Sequence, residues 1–484
     1  MHWINFPLLS IMIWSGLRIY WADVRDPYGF GIGLIGWHWF DFLPDFVNER
    51  LELERKLAKG LAFHFTFGWL FVINGLLYVL YTAVTGEWRH LLPNRQSLPD
   101  AGRVLLHDLT LGRTPLPPQG RYNAAQRLSY TLIVALGGVA VATGFAIYKP
   151  TQLNMLTTAF GGYESARTIH FAATIIFLMF FVVHIAQVVR AGRANFTSMV
   201  TGYEPITAEA ADAPSDPNSG SHAAPATDPA PTSNGTPPSP VLSPSAYQSQ
   251  SRRAVLTGVA ATAASVAGWR WLQGRPLDNR AIDVLRRGHE LNQGVWETLY
   301  RGQTMAPTFD RSKSSELRVN GRKGLESAIN LDRWELQVLG PDGELLGTHT
   351  MEDILALPKV SMTVEHKCVE GWSHIVTWGG TPFGQFIAPY FDQLGRQTPY
   401  VYAETPDREY YVGVDTPAML HAQTLLCYEL EDQPLSLDHG APLRLTTPNK
   451  YGIKQIKRIG TIALVDEQPT DYWYERGYDW YAQL

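Results

Sequence analysis

Cysteine is nearly missing: Cys368 and Cys427 are the only two in 484 residues. That scarcity excludes a disulfide-stapled scaffold, a CxxC zinc or dithiol motif and any four-cysteine iron–sulfur cluster, leaving at most one bridge between the pair. A dominant charge of one sign is missing too. A formal net charge of −5 offers no basic surface for nucleic acid and implies no strongly charged partner. Ionisable residues are also unevenly spread. Asp, Glu, Lys and Arg are absent from Leu61 to Thr85, Leu128 to Tyr148 and Thr168 to Val189. Lys and Arg are absent again from Tyr203 to Gln250, where Pro, Ala, Ser and Thr dominate.

The three uncharged runs, with a fourth from Trp3 to Leu17, are long enough to cross a bilayer as helices rising 1.5 Å per residue. Lys59, Glu87, Arg127, Lys149, Arg167 and Arg190 flank them as interfacial anchors. The fold class expected for residues 1–200 is an all-α transmembrane bundle of four helices, in the manner of a multi-pass protein of the bacterial inner membrane. Arg89, Arg95, Arg103, Arg113, Arg121 and Arg127, then Arg190, Arg193, Arg252 and Arg253, outnumber the basic residues of the opposite loops and put the N-terminus inside.

Residues 201–250 have too little apolar surface to offset ordering entropy, so an unstructured linker is expected. It leads into "SRRAVLTGVAATAASVAGW" at 251–269. Two readings of residues 251–274 stand open: a twin-arginine export signal in mid-chain, or a fifth spanning helix. Either carries residues 275–484 to the periplasmic side. There short β-rich runs alternate with turn signals such as "PDGE" and "NKYG", and helical patches occur at Ala281 to Tyr300 and in "HTMEDILAL". The second half is therefore α+β.

Histidines carry the chemistry of the first half. His64 lies early in the second run, while His170 and His184 lie on one face of the fourth, four turns or about 21 Å apart. With the N-terminus inside, His2 and His184 share the inner level and His64 and His170 the outer. Intramembrane histidines are costly without a partner, and four at two matching depths point to bis-imidazole ligation of two haem b groups. His38, in "GWHWF", reads as an interfacial residue.

In the second half, Cys427 in "TLLCYEL" reads as a small hydrophobe on a strand. Cys368, in "EHKCVEGWSH", has three readings from its neighbours alone: a soft metal ligand, a nucleophile assisted by His366 or His374, or a buried free thiol.

Family resemblance narrows these alternatives. "HWINFPLLSIMIWSG", "FHFTFGWLFVINGLLY", "GFAIYKP" and "FGGYESARTIHFAATIIFLMFFVVH" resemble the dihaem membrane cytochromes of the b561 type, which implies that His2, His64, His170 and His184 ligate haem iron. "EHKCVEGWSHIVTWGGTPF", "VYAET", "HGAPLRLTTPNKYGIKQIK" and "YWYERGYDW" resemble the sulfite-oxidase fold, and within it the catalytic subunit of periplasmic protein-methionine-sulfoxide reductase. That resemblance implies molybdenum held by a molybdopterin and by the thiolate of Cys368. It further implies that Asn320, Thr405, His439, Arg444, Gln455, Ile456 and Lys457 hold the pterin and its phosphate, with His439 standing where the family pattern has asparagine.

The sulfite-oxidising relatives place basic residues soon after the cysteine. Here Glu370, Trp372 and His374 follow instead, which suits a neutral S-oxide or N-oxide better than an anion. The expected function is a molybdenum oxidoreductase exchanging electrons with quinone through two b haems and reducing a small or protein-bound oxide. A dehydrogenase of sulfite or another small substrate is one alternative, and a non-catalytic haem conduit or redox sensor another.

Overall fold

The computed structural model describes residues 2–20, 45–53, 56–110, 113–115, 117, 123–190, 244–275, 277–278, 281–300 and 304–484. His38 and most of the expected linker lie outside them. The long helices are α1 (His2–Tyr20), α2 (Leu57–Thr85), α3 (Ala124–Tyr148), α4 (Tyr163–Arg190), α5 (Pro244–Gln273) and α6 (Asp283–Tyr300). Among the described residues, α2, α3 and α4 are long and apolar enough to cross a membrane.

Of the four expected spans, α1 does form, as a continuous helix of 19 residues with Pro7 inside it, but it does not join that set because its mean hydropathy falls short. It lies along α2 instead, with Trp14 edge-on to Phe63 at 5.1 Å and Asn74 Nδ2 donating to Asn5 Oδ1 at 2.6 Å. The apolar stretch after Arg253 is helical as well. However, α5 begins at Pro244, inside the segment expected to be unstructured, because proline preorganises a first helical turn. Rich in Ala, Gly, Ser and Thr, α5 is long enough to span but falls short in hydropathy.

The chain divides into two compact units, Met1–Phe177 with Arg275–Leu484, and Leu178–Gly274. Within the first, the C-terminal domain packs on the start of α4 and the end of α3. Lys149 Nζ donates to the Gln483 carbonyl at 2.8 Å, and Ser373 Oγ donates to Glu164 Oε1 at 2.8 Å. The amphipathic helix α6 lies over the same end of the helices. Trp69 Nε1 donates to Asn292 Oδ1 at 3.0 Å, Asn292 Nδ2 donates to the Tyr148 hydroxyl at 2.8 Å, and Trp296 meets Phe145 at 5.8 Å. The α6 surface thus closes an apolar end that would otherwise face water.

On the same helix, burial and the nearby Asp415 and Asp479 raise the Glu297 carboxyl to about 7, although Lys450 opposes them. A folded-state value above the unfolded one means that stability is lost as pH rises from about 4.5 to about 7. Glu297→Gln is expected to gain about 1–2 kcal/mol at pH 8 and nothing at pH 4.5, after discount for partial exposure. Thermal midpoints of the detergent-solubilised protein at the two pH values check this.

Two five-stranded sheets build the C-terminal domain. In the first, β5 (Val360–Lys367), β6 (Ser373–Pro382) and β9 (Leu425–Leu430) are successive antiparallel neighbours, with β10 (Gln433–Pro434) and β11 (Arg444–Thr446) both on β9. In the second the order is β4 (Leu345–His349), β3 (Leu336–Leu339), β12 (Thr461–Val465), β7 (Tyr400–Glu404) and β8 (Tyr411–Asp415), parallel only between β12 and β3. A short antiparallel pair, β1 (Leu277–Asp278) and β2 (Ala281–Ile282), precedes α6. "PDGE" makes the β3–β4 hairpin as expected. The core lies between the sheets and the helix Phe383–Leu394, around Phe383, Ile387, Val412 and Leu443.

Candidate active site and haem site

Cys368 sits in the tight turn between β5 and β6, where its amide donates to the Trp372 carbonyl at 2.9 Å and Gly371 takes φ 98°, a conformation that favours glycine. The thiol is buried. Its neighbours are polar: Asn320 Nδ2 lies 3.8 Å from the sulfur and Glu370 Oε2 lies 3.7 Å from it. That same carboxylate oxygen accepts from Asn320 Nδ2 at 3.0 Å and from Trp372 Nε1 at 2.9 Å. Burial and the Glu370 carboxylate push the Cys368 thiol well up, with Arg318 opposing. An unassisted nucleophile needs the reverse shift, so the surroundings favour a thiol deprotonated by a bound metal cation. Cys427 is a free, buried core residue on β9, and Cys368 is free as well, so the one conceivable disulfide does not form.

A cationic cradle of buried Arg444 and half-buried Lys457 adjoins the thiol. Lys457 Nζ donates to the carbonyls of Asn320 and Asp438 at 2.8 Å each and of Gly321 at 3.1 Å. Arg444 donates to the carbonyls of His439 at 3.1 Å and Gln455 at 3.4 Å, and its guanidinium lies 4.5 Å over the Trp378 ring. Neither forms an ion pair among the described residues. Burial lowers Arg444 to about 10; burial and then Arg444 lower Lys457 to about 7 and His439 to about 4. Arg444 Nε and His439 Nδ1 are buried with no hydrogen-bond partner among the described residues. A buried Arg444 and a half-buried Lys457, the latter with only Asp438 as a nearby carboxylate, are costly, and a bound anion would relieve them.

Across the domain contact, the Cys368 turn meets α4. A Cβ on Gly371 would stand 3.3 Å from the Arg167 guanidinium. One turn further along α4 is His170, whose ring centre is 6.1 Å from that of His64 on α2, at 74°. That separation leaves room for one metal ion that both imidazoles would hold at about 2 Å each. Around this end, Thr151 Oγ1, Gln293 Nε2 and the Nε and Nη1 of Arg18, whose Nη2 pairs with Glu52 at 2.8 Å, are buried donors without partners among the described residues, of the kind an acidic haem side chain would take up. The inner pair is less fully described. His184 stacks on Phe180 at 5.7 Å in the other unit, and the His2 side chain lies outside the described residues.

Known families match this division of labour. Residues 1–202 match the prokaryotic cytochrome b561 family and residues 323–473 the oxidoreductase molybdopterin binding domain. The chain joins a cytochrome b561 domain to a molybdopterin-binding oxidoreductase domain. Two YedZ1 proteins of Azospira oryzae, each named as a subunit of a protein-methionine-sulfoxide reductase, are similar to it. One is 36% identical over 28% of this chain and 50% of its own, the other 29% identical over 42% and 92%. The protein-methionine-sulfoxide reductase catalytic subunit MsrP of Xanthomonas campestris is 31% identical over 30% of this chain and 49% of its own. The chain thus spans about half the length of several curated relatives it matches. The sulfane dehydrogenase SoxCD of Paracoccus pantotrophus shares 19% identity over 29% of this chain and 40% of its own, at a TM-score of 0.26, too low to bear on the fold.

The molybdopterin domain brings most of the expected residues into one contact network: Cys368, Asn320, His439, Arg444, Gln455 and Lys457. Ile456 contributes only backbone, since its side chain is in the core and its carbonyl accepts from the Leu445 amide at 2.9 Å. The Gln455 side chain is likewise occupied, accepting from His366 Nδ1 at 3.1 Å. Thr405 closes its own turn, donating to Asp407 Oδ1 at 2.6 Å, and packs over Gly324.

Sequence reasoning misses Arg318, which lies 5.4 Å from the Trp372 ring and returns a cation to the thiol's vicinity. It stands two residues before Asn320 in "RVNG", but nothing in that segment relates it to Cys368. Arg167 reads in the sequence only as a membrane anchor.

Proposed function

We propose that the chain is a multi-pass protein of the bacterial inner membrane that takes electrons from quinol through two b haems and reduces a sulfoxide on the periplasmic side. In this reading Cys368 is the protein's ligand to molybdenum, and Asn320, Thr405, His439, Arg444, Gln455, Ile456 and Lys457 hold the molybdopterin. His64 with His170 ligates one haem and His2 with His184 the other. When bound, the molybdenum cofactor supplies two-electron oxygen-atom transfer and the haems supply one-electron relay. The reaction balances when one sulfoxide takes up a pair of electrons and a pair of protons, breaking its sulfur–oxygen bond to leave one sulfide and one water.

In this reading Glu370 relays a proton to the departing oxygen, and Asn320 and Trp372 fix its orientation. The Trp372 ring and the Cys368 turn shield the site from water. The observation that carries the reading is the buried Cys368 thiol, set between an unpaired cationic cradle and the α4 segment leading to His170. Methionine-sulfoxide-dependent oxidation of quinol by membranes containing the protein tests it, and no such oxidation above the background of protein-free membranes counts against it.

One observation favours a second reading. Arg318 beside Trp372 suits an anion, so sulfite oxidation with quinone as acceptor is the competing activity, and sulfite-dependent quinone reduction would identify it. In either case Arg444→Ala is expected to lower molybdopterin retention by roughly 10- to 100-fold, because a buried phosphate partner is lost. Molybdenum per chain after size exclusion measures this.

A further inference from the structure

The outer histidines are backed in the same way from two different helices. On α1, Ser15 Oγ lies 2.7 Å from the Ile11 carbonyl and 3.0 Å from His64 Nδ1. On α3, Thr143 Oγ1 lies 2.7 Å from the Val139 carbonyl and 3.1 Å from His170 Nδ1. A hydroxyl has one hydrogen. Given to the carbonyl one turn back, it leaves the oxygen to meet the imidazole as an acceptor, so the ring carries its proton on Nδ1. The next carbonyls reinforce this, Ala140 accepting from His170 Nδ1 at 3.0 Å and Met12 from His64. Each Nε2 keeps its lone pair for a metal.

The parallel extends one residue further. Gly16 follows Ser15 and Gly144 follows Thr143, and a Cβ there would stand 3.5 Å from His64 Cε1 and 3.3 Å from His170 Cε1. Both hydroxyl residues are fully buried. Neither Ser or Thr nor Gly favours a helix interior. A hydroxyl–glycine pair repeated on two helices, each facing one histidine, is therefore explained by the imidazoles and not by helix formation.

We propose that Ser15 and Thr143 are positioning residues that fix the tautomer and ring plane of the His64–His170 pair and hold the iron between them at a lowered reduction potential; this rests on the haem reading above. An acceptor on Nδ1–H makes the imidazole a stronger donor, which favours ferric iron.

The test is a redox titration of the purified full-length holoprotein, followed at the haem absorption bands and by electron paramagnetic resonance. Ser15→Ala and Thr143→Ala should each raise the midpoint of one haem and alter its low-spin signal. The expected size is up to about tenfold in the reduction equilibrium, which is about 59 mV for one electron. Ser15→Thr and Thr143→Ser should keep wild-type values. Wild-type midpoints and spectra in both alanine variants would overturn the proposal. Should an alanine variant lose haem, its hydroxyl-retaining counterpart decides: wild-type values support the proposal and equal loss contradicts it. A failure of the haem reading is distinguishable, because His64→Ala would then remove no haem.

Discussion

Cys368→Ser yields a folded protein that carries haem but little molybdenum and has lost turnover by roughly 10³-fold or more, the order expected when a group at the reacting centre is removed. The reasoning starts from charge. The thiol is buried beside Glu370 and is held protonated by that setting, so it offers a metal nothing until the metal itself displaces the proton. Serine is far harder to deprotonate and provides a harder ligand than a thiolate. The turn itself depends on the backbone bond from Cys368 to Trp372 and on Gly371, neither of which the substitution touches. Thermal stability should therefore change by only about 1 kcal/mol. Elemental analysis and the thermal midpoint, measured on one preparation, separate loss of metal from loss of fold.

His170→Ala has the second large effect, and it is selective. One low-spin haem signal should disappear, and quinol-driven sulfoxide reduction should fall by roughly 10²-fold or more. Reduction driven by a small soluble donor dye that reaches the molybdopterin domain directly should stay within about twofold, since only the relay is cut. His64→Ala should give the same pattern, because the two rings face one another at 6.1 Å. If quinol and dye activities fell together in both variants, the pair would be structural. If neither fell, His64 and His170 would lie off the electron route.

Much of this arrangement is legible in the sequence because it rests on absences. Runs without a single charge are read reliably as membrane helices, since lipid leaves the backbone no other partner, and α2, α3 and α4 follow those runs closely. The depth match between His64 and His170 needs only the helical rise. The β3–β4 hairpin is marked by "PDGE", and the Arg444 and Lys457 cradle by the segment that resembles the sulfite-oxidase fold, whereas β5 and β6 on either side of the cysteine carry no comparable signal.

Other features depend on tertiary placement that no local pattern reveals. Arg318 is far from Cys368 in sequence and reaches it only through packing on Trp372. Ser15 and Thr143 are single hydroxyls in apolar helices and gain meaning only when a neighbouring helix sets an imidazole against them. The start of α5 at Pro244 is hidden by a composition that usually denotes disorder. The docking of α6 across α2 and α3 is hidden because an amphipathic helix does not name its partner.

The most direct test of the whole account is to reduce the purified protein anaerobically with a quinol analogue, add methionine sulfoxide, and follow the haem absorption in wild type and in Cys368→Ser. The account predicts prompt haem reoxidation in the wild type and haems that stay reduced in the variant. Equal reoxidation in both proteins would contradict it.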